Sequence, residues 1–415
     1  MRILHFADAH IDIATQGKHD PITGLPVRVL DFLKSLDQIV DTAIAEKVDM
    51  VIFAGDAYKD RTPVPTFQRE WGKRIIQLSQ AGIPTLLLVG NHDISPAVGR
   101  ANTLHEFETL QVPHVIVASK PALYTPAQLE GLPLQIITLP WVSRSGFLAQ
   151  MESDAASGKN INKDMENLLD GLIKSFFDKL DPSLPVVLAA HASVSGATYG
   201  AERSVMLGND VLLPGSLVKD PIFSYVALGH IHKAQDVNEG NQPPVVYPGS
   251  IERVDFGEIG DDKFFVIASI EKGKPTEAVW HKLNGRKFIS RSIRITEQMN
   301  MQQQILDTLP DSDELANAMV RLEIEYPREW ESLIDETEIR RYGEKALEFH
   351  LIRKPLMDLR LRLPADQTIN SMTPLELLET YWKTVDMKSE ELEEMKKLAG
   401  SLIQQDLPVP TLSGK

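Results

Sequence analysis

Five short apolar runs in this chain each lead directly into residues of the types that can ligate metals. In order, these are Ala7-Asp8-Ala9-His10, Gly55-Asp56, Gly90-Asn91-His92-Asp93, Ala190-His191 and Gly229-His230-Ile231-His232. Each follows a segment rich in Val, Ile and Leu, as Val51-Ile52-Phe53-Ala54 precedes Gly55. Segments of this length and composition read as buried strands. This limits the folds available. Ligands at the ends of separate strands converge only on one rim of a sheet, the rim where α/β folds place their sites.

Strands are expected over 3–7, 50–54, 85–89, 114–117, 135–138, 186–190 and 225–228. Helices lie between several of them, for instance over 29–46 and 66–80. Val245 to Ser250 ends in a turn, and a further strand is expected over 263–270. Residues 1–285 therefore read as one α/β domain with sheets at its centre. A hydrophobic content of 43% can supply its core. Residues 286–360 read as a small α+β domain, with an alternating strand over 320–326 that Pro327 stops. Residues 366–405 read as two short helices. Thr373-Pro374-Leu375-Glu376 combines a capping threonine, proline at the first helical position and glutamate three residues after the cap. A second helix starts at Ser389, with Leu392, Met395, Leu398 and Leu402 on one face. Residues 406–415, with Pro408 and Pro410, form a loose tail.

Asp8, His10, Asp56, Asn91, His191, His230 and His232 offer only nitrogen and oxygen donors, which suit a pair of borderline divalent ions. A metal pair is a common device for cleaving phosphate esters in line. Asp56, the lone carboxylate in the middle of the set, is the natural bridge. Asp8, His10 and His232 complete one site, and Asn91, His191 and His230 the other. Asp-x-His and His-x-His spacings place alternate side chains on one face of extended backbone. His92, beside a ligand, is expected to be the non-metal catalytic residue, stabilising charge or protonating the leaving oxygen, with Asp93 orienting it. Gly55, Gly90 and Gly229 precede ligands, where a missing side chain allows close approach. A single histidine at a strand end is usually structural, and Gly-Asn-His-Asp alone reads equally well as a turn. The ordered set of five motifs is what carries the metal reading. His5, His19, His105, His114, His281 and His350 have no such context and read as ordinary.

The net charge is −15, and both parts about Gly285 are acidic, so the chain has no global basic character for nucleic acid. A local basic groove or a partner subunit would have to supply it, although bound cations would offset some of the carboxylate charge. Cysteine is absent, which excludes disulfides and thiolate ligands and fits a cytoplasmic location. No apolar run reaches the roughly 18 residues of a membrane span. No signal peptide is expected either, because the first strand begins at once and leads to Asp8 and His10.

The ordered motif set resembles the calcineurin-like metallophosphoesterase superfamily. Within it, Met1-Arg2-Ile3-Leu4-His5-Phe6-Ala7-Asp8-Ala9-His10, Val226 to His232 and Tyr247-Pro248-Gly249-Ser250-Ile251-Glu252-Arg253 are similar to the SbcD nuclease subunit family. The resemblance is strong to about residue 285 and weaker through the second region. It implies a four-layer sandwich, two central sheets flanked by helices, with a DNA-capping domain and a C-terminal helical hairpin. It further implies Mn²⁺ as the working metal, hydrolysis of phosphodiesters at DNA ends or hairpins, and work in repair or recombination. The implied partner is an SbcC-like coiled-coil ATPase docked on the terminal helices, with two copies of this chain in a heterotetramer. The chain itself has no Gly-x-x-x-x-Gly-Lys-Ser/Thr loop. Where several relatives carry a second catalytic histidine, three residues after the Gly-Asp aspartate, this chain has Lys59. Lys59 and Arg61 are candidate phosphate contacts, as are Arg100, Arg144, Arg203, Lys233 and Arg253. A phosphatase or nucleotidase for small esters would use the same ligands, and a non-catalytic scaffold is the other alternative.

Overall fold

The structure, a computed structural model, describes residues 1–94, 100–142, 161–200, 212–356, 373–384 and 389–405. Two six-stranded sheets dominate it. The first contains β1 (Arg2–Phe6), β2 (Met50–Phe53), β3 (Thr85–Leu88), β4 (Val115–Ala118), β13 (Lys263–Ser269) and β14 (Glu277–Leu283), in the order β14-β13-β1-β2-β3-β4. The second contains β5 (Ala122–Tyr124), β6 (Gln135–Leu139), β7 (Val186–His191), β10 (Tyr225–Gly229), β11 (Gln235–Asp236) and β12 (Val245–Tyr247), in the order β11-β12-β10-β7-β6-β5. β1 to β4 run parallel, as do β6, β7, β10 and β12, and antiparallel strands close every edge but the one formed by β4. β8 (Ser193–Val194) and β9 (Leu212–Leu213) form a small parallel pair just beyond β7.

The apolar runs are continuous because each strand buries both faces. Side chains alternate across a strand. Ile3, Met50, Ile52, Leu86 and Leu88 of the first sheet share a core with Ile136, Val187, Ala189, Tyr225 and Ala227 of the second. Their neighbours Leu4, Phe6, Val51, Phe53 and Leu87 point the other way, onto Phe32, Leu36, Ile39, Trp71 and Ile75. Those belong to the helices Val27–Ala45 and Pro65–Gln80. On the second sheet Ile137, Leu139, Leu188, Val226 and Leu228 face Leu169 and Ile173 of the helix Ile161–Phe177. The result is the expected α/β sandwich of helix, sheet, sheet and helix.

Both helices over the first sheet end in the same way. After Pro65–Gln80, Gly82 N–H donates to Ser79 and Ile83 N–H to Leu78, with Gly82 at φ +70°. After Val27–Ala45, Lys47 N–H donates to Ile44 and Val48 N–H to Ala43. These paired bonds satisfy the last carbonyls, which otherwise lack partners. Each turn then feeds straight into the next parallel strand.

The chain divides into two compact units, interleaved in the sequence. The first comprises Met1–Arg291, Asp307–Leu322 and Thr337–Leu351, and the second Ser292–Leu306, Glu323–Glu336 and Ile352–Lys415. β15 (Phe288–Arg294), β16 (Met319–Pro327) and β17 (Glu348–Leu356) form a three-stranded sheet in the order β15-β16-β17. β16 alternates as expected, with Val320, Leu322, Ile324 and Tyr326 buried. β15 and the edge strand β14 had no expectation in the sequence: Glu277–Leu283 lies on a sheet edge, where Glu277, Val279 and Lys282 are exposed and break the apolar run.

The terminal helices are Pro374–Thr384 and Ser389–Gln405. The threonine cap forms as read, since Glu376 N–H donates to Thr373 Oγ1 at 3.4 Å and Thr373 N–H donates to Glu376 Oε2 at 2.7 Å. Lys396 pairs with Glu379 at 3.3 Å, joining the two helices. The expected tail over 406–415, together with Arg144 and Arg203, lies outside the described residues. Among the described residues no helix is long and apolar enough to cross a membrane.

Candidate metal centre

Because the central strands of each sheet run parallel, β1, β2, β3, β7 and β10 all end on one rim. Asp8 and His10 follow β1, Asp56 follows β2, Asn91 follows β3, His191 is the last residue of β7, and His230 follows β10. All seven expected ligands meet there. Asp8, His10 and His232 present donor atoms within 4.8 Å of one another, and so do Asp8, Asp56 and His191. Asp8 thus belongs to both groups. Asp56 also lies between them, with Oδ2 3.7 Å from His10 Nε2 and 3.5 Å from His191 Nε2. Asn91 Oδ1 stands 2.9 Å from His191 Nε2 and 3.0 Å from His230 Nδ1.

The ring partners show which nitrogens face the centre. His10 Nδ1 donates to the Tyr58 carbonyl at 3.2 Å, and His191 Nδ1 to the Ala54 carbonyl at 2.7 Å. His232 Nδ1 donates to Glu258 Oε1 at 2.9 Å. A carbonyl or carboxylate only accepts, so in each neutral ring the proton sits on Nδ1 and the lone pair on Nε2. His10 Nε2 and His232 Nε2 then face each other 3.1 Å apart. Two facing lone pairs repel unless a cation lies between them. His191 Nε2 and Asn91 Oδ1 likewise need a proton or a cation between them. This arrangement of imidazole, carboxylate and amide donors without thiolate fits two divalent ions.

Electrostatics agree. Burial raises the Asp8 carboxyl to about 7, the cost of an anion out of water. Burial would lower His191, but the Asp56 and Asp8 carboxylates outweigh it and hold its imidazole at about 9. Asp56 itself is pulled far down, the histidine charges overcoming its burial. The pocket attracts positive charge, and in the metal-free chain a proton serves where an ion can bind.

The backbone is strained at the ligands. Asp8, His10, Asp56 and His230 have φ of +51°, +38°, +65° and +101°. Left-handed backbone is uncommon for such residues and is typical of sites held by surrounding structure. All three expected glycines are required by space. A Cβ on Gly55 would strike the His191 ring, one on Gly90 the Asp56 carboxylate, and one on Gly229 the Ala54 carbonyl.

Asp93 has a different role from the one expected. Its Oδ2 accepts from Asp56 N–H and Gly90 N–H, both at 2.9 Å, and its Oδ1 from Ala57 N–H and Thr103 Oγ1 at 3.1 Å. It therefore ties the Asp56 loop to the Asn91 loop. Burial and the neighbouring Asp56 charge raise it to about 6. His92 is oriented instead by the Lys59 carbonyl, which accepts from Nδ1 at 2.9 Å. Nε2 then faces outward, 3.4 Å from Lys59 Nζ. His92 N–H donates to Asp56 Oδ1 at 2.8 Å. Burial keeps the His92 imidazole below its usual range, and so neutral near pH 7.

Four residues at the rim were not expected from sequence. Asp12 accepts from Lys59 N–H at 2.5 Å and Asp60 N–H at 3.2 Å, fixing the loop that holds His92. Its position two residues after His10 was the only available signal. Trp141 places its ring 4.8 Å from that of His230. Glu258 and Lys263 stand behind His232. Of the proposed phosphate contacts, Arg61 and Arg100 are exposed. Arg253 is half-buried, with Nη1 donating to the Arg286 carbonyl at 3.3 Å.

The family match agrees with this geometry. The sequence model of the calcineurin-like phosphoesterase family matches residues 1–234. Two curated relatives, each the SbcD component of the nuclease SbcCD and coming from two strains of Escherichia coli, are 26% identical over 285 residues. The match covers 66% of this chain and 66% of each relative, so the chain spans about two thirds of their length. Among solved structures, TT1561 of Thermus thermophilus aligns with a TM-score of 0.37 and 13% identity, over 67% of this chain and 98% of that one. A dimetal phosphatase from Danio rerio aligns with a TM-score of 0.40 and 12% identity, over 68% and 98%. The family match ends at residue 234, just past His232, so it takes in every strand end that carries a ligand. A sandwich whose parallel strands deliver these donors to one rim, matched over that stretch, belongs to the calcineurin-like phosphoesterase family.

Proposed function

We propose that this chain is a DNA nuclease subunit of the SbcD type, hydrolysing phosphodiester bonds at DNA ends or hairpins with two Mn²⁺ ions. The supporting observation is the paired donor set on one rim, with Asp8 common to both groups and the Asp56 carboxylate between His10 and His191. The SbcD relatives point the same way for substrate class. When bound, a pair of divalent cations supplies charge stabilisation of the phosphate and a nucleophile at neutral pH.

The chain's own residues do the rest. Asp8, His10 and His232 would hold one ion, and Asn91, His191 and His230 the other, with Asp56 shared. Asp93 fixes the separation of the Asp56 and Asn91 loops. His92 would present Nε2 to the leaving oxygen, and the Lys59 ammonium beside it donates to that nitrogen and favours the neutral ring. The proposed partner is an SbcC-like ATPase bound to the C-terminal helices, with two copies of this chain in the assembly.

Turnover of linear duplex DNA, a nitrophenyl phosphodiester and a 5′-nucleotide by the purified chain with Mn²⁺ tests the reading. Cleavage of the diester and DNA with little release of phosphate from the nucleotide is expected. Preference for the nucleotide would replace the nuclease with a nucleotidase. No turnover of any of the three by metal-loaded chain would leave a scaffold.

A further inference from the structure

We propose that Glu258 and Lys263 form a buried positioning pair for His232, setting the metal affinity of the Asp8, His10 and His232 group separately from the other. Glu258 ends the short turn Phe256–Glu258, and Lys263 begins β13. Their exposures are 2% and 1%. Glu258 Oε1 accepts from His232 Nδ1 at 2.9 Å, while Oε2 receives Lys263 Nζ at 2.8 Å and Val254 N–H at 2.9 Å. Lys263 Nζ also donates to Ser250 Oγ at 2.7 Å and reaches the His232 carbonyl at 3.4 Å. The lysine therefore holds both the carboxylate and the main chain of the residue that the carboxylate orients.

Stability alone does not account for this pair. Desolvating two ions costs several kcal/mol each, and an apolar pair of equal volume is often as stable. The arrangement does match what a ligand needs. A carboxylate accepts the imidazole N–H more strongly than a neutral carbonyl does, and makes the opposite nitrogen a better donor. His10 and His191 rest on main-chain carbonyls. Of the three rings whose Nδ1 partner points away from the centre, His232 alone rests on a charged group. That makes its ion site separately tunable.

The inference rests on reading the rim as a divalent metal centre, and the test separates the two. Mn²⁺ is titrated calorimetrically into the metal-free full chain and into Glu258→Gln, an isosteric change that keeps the acceptor but removes the charge. Thermal unfolding is followed without metal. The parent should take two ions. Glu258→Gln should bind one as the parent does and the other about 10–100-fold more weakly, with metal-free melting little changed. Glu258→Ala should be weaker still. Excess Mn²⁺ should restore diester hydrolysis in Glu258→Gln, shifting the metal concentration for half-maximal rate rather than kcat at saturation. Parent-like binding of both ions overturns the inference. So does a joint fall in both affinities and in metal-free melting, or failure of Glu258→Gln to fold, since each assigns the pair a structural role. A parent chain that takes up no divalent cation would overturn the metal-centre reading as well.

Discussion

Asp56 stands between His10 and His191, and its removal leaves Asp8 as the one carboxylate common to the two donor groups. Asp56→Ala should lose at least one ion by elemental analysis and abolish metal-dependent diester hydrolysis, because a single carboxylate would then have to screen two cations. Full metal content with normal turnover would remove the bridging role. His92 is different, because its ring nitrogens point to the Lys59 carbonyl and the Lys59 ammonium and not into the donor groups. His92→Ala should therefore keep both ions and slow hydrolysis about 10²–10⁴-fold, the range for a positioned acid–base group. Loss of metal would make it a ligand, and unchanged turnover would make it structural.

The helix Pro65–Gln80 shows how an element holds the rim without touching it. Trp71 is fully buried against Phe6, Phe53 and Tyr58, the side chains just ahead of the Asp8 and Asp56 loops or within them. Trp71→Ala should cost about 3–5 kcal/mol, the transfer term plus the cavity left behind. One position along, Gly72 faces open space and no heavy atom lies within 4 Å of an added Cβ. Gly72→Ala should stabilise by about 0.5–1 kcal/mol through lower unfolded-state entropy and better helix propensity. Denaturant unfolding of the two variants checks both signs, and a destabilised Gly72→Ala would mean the space is used.

At the scale of the molecule, the chemistry and the proposed docking surface lie in separate units. Every candidate ligand belongs to the first unit, and the terminal helices to the second. Those helices bury Trp382 but leave Tyr381 41% exposed and Leu398 57% exposed. Apolar side chains on a helix face call for a covering surface, and a helix seated in a groove is a common way to recruit a partner. Truncation after residue 364 should leave diester hydrolysis by the isolated chain nearly intact. It should abolish co-purification with the ATPase and any ATP-stimulated digestion of duplex DNA. A truncated chain that still forms the complex would falsify the docking role, and one that misfolds would show that the helices serve this chain's own packing.

The sequence by itself determined the central strands, because residues buried on both faces leave an unbroken apolar run such as Val51 to Ala54, and it marked the candidate ligand positions at the ends of those runs. It also determined the capped helix at Thr373, whose partners lie three residues apart. Only the tertiary structure decided what stands behind the ligands. Asp93 reads as the neighbour of His92 along the chain, yet its oxygens hold the Asp56 and Gly90 amides. Lys263 opens the strand expected over 263–270, and Glu258 belongs to none of the sequence motifs, yet the two meet under His232. The physical reason is range. Burial patterns and caps repeat at fixed local spacing, whereas a hydrogen bond between His232 and Glu258, 26 residues apart, leaves no periodic trace in the sequence.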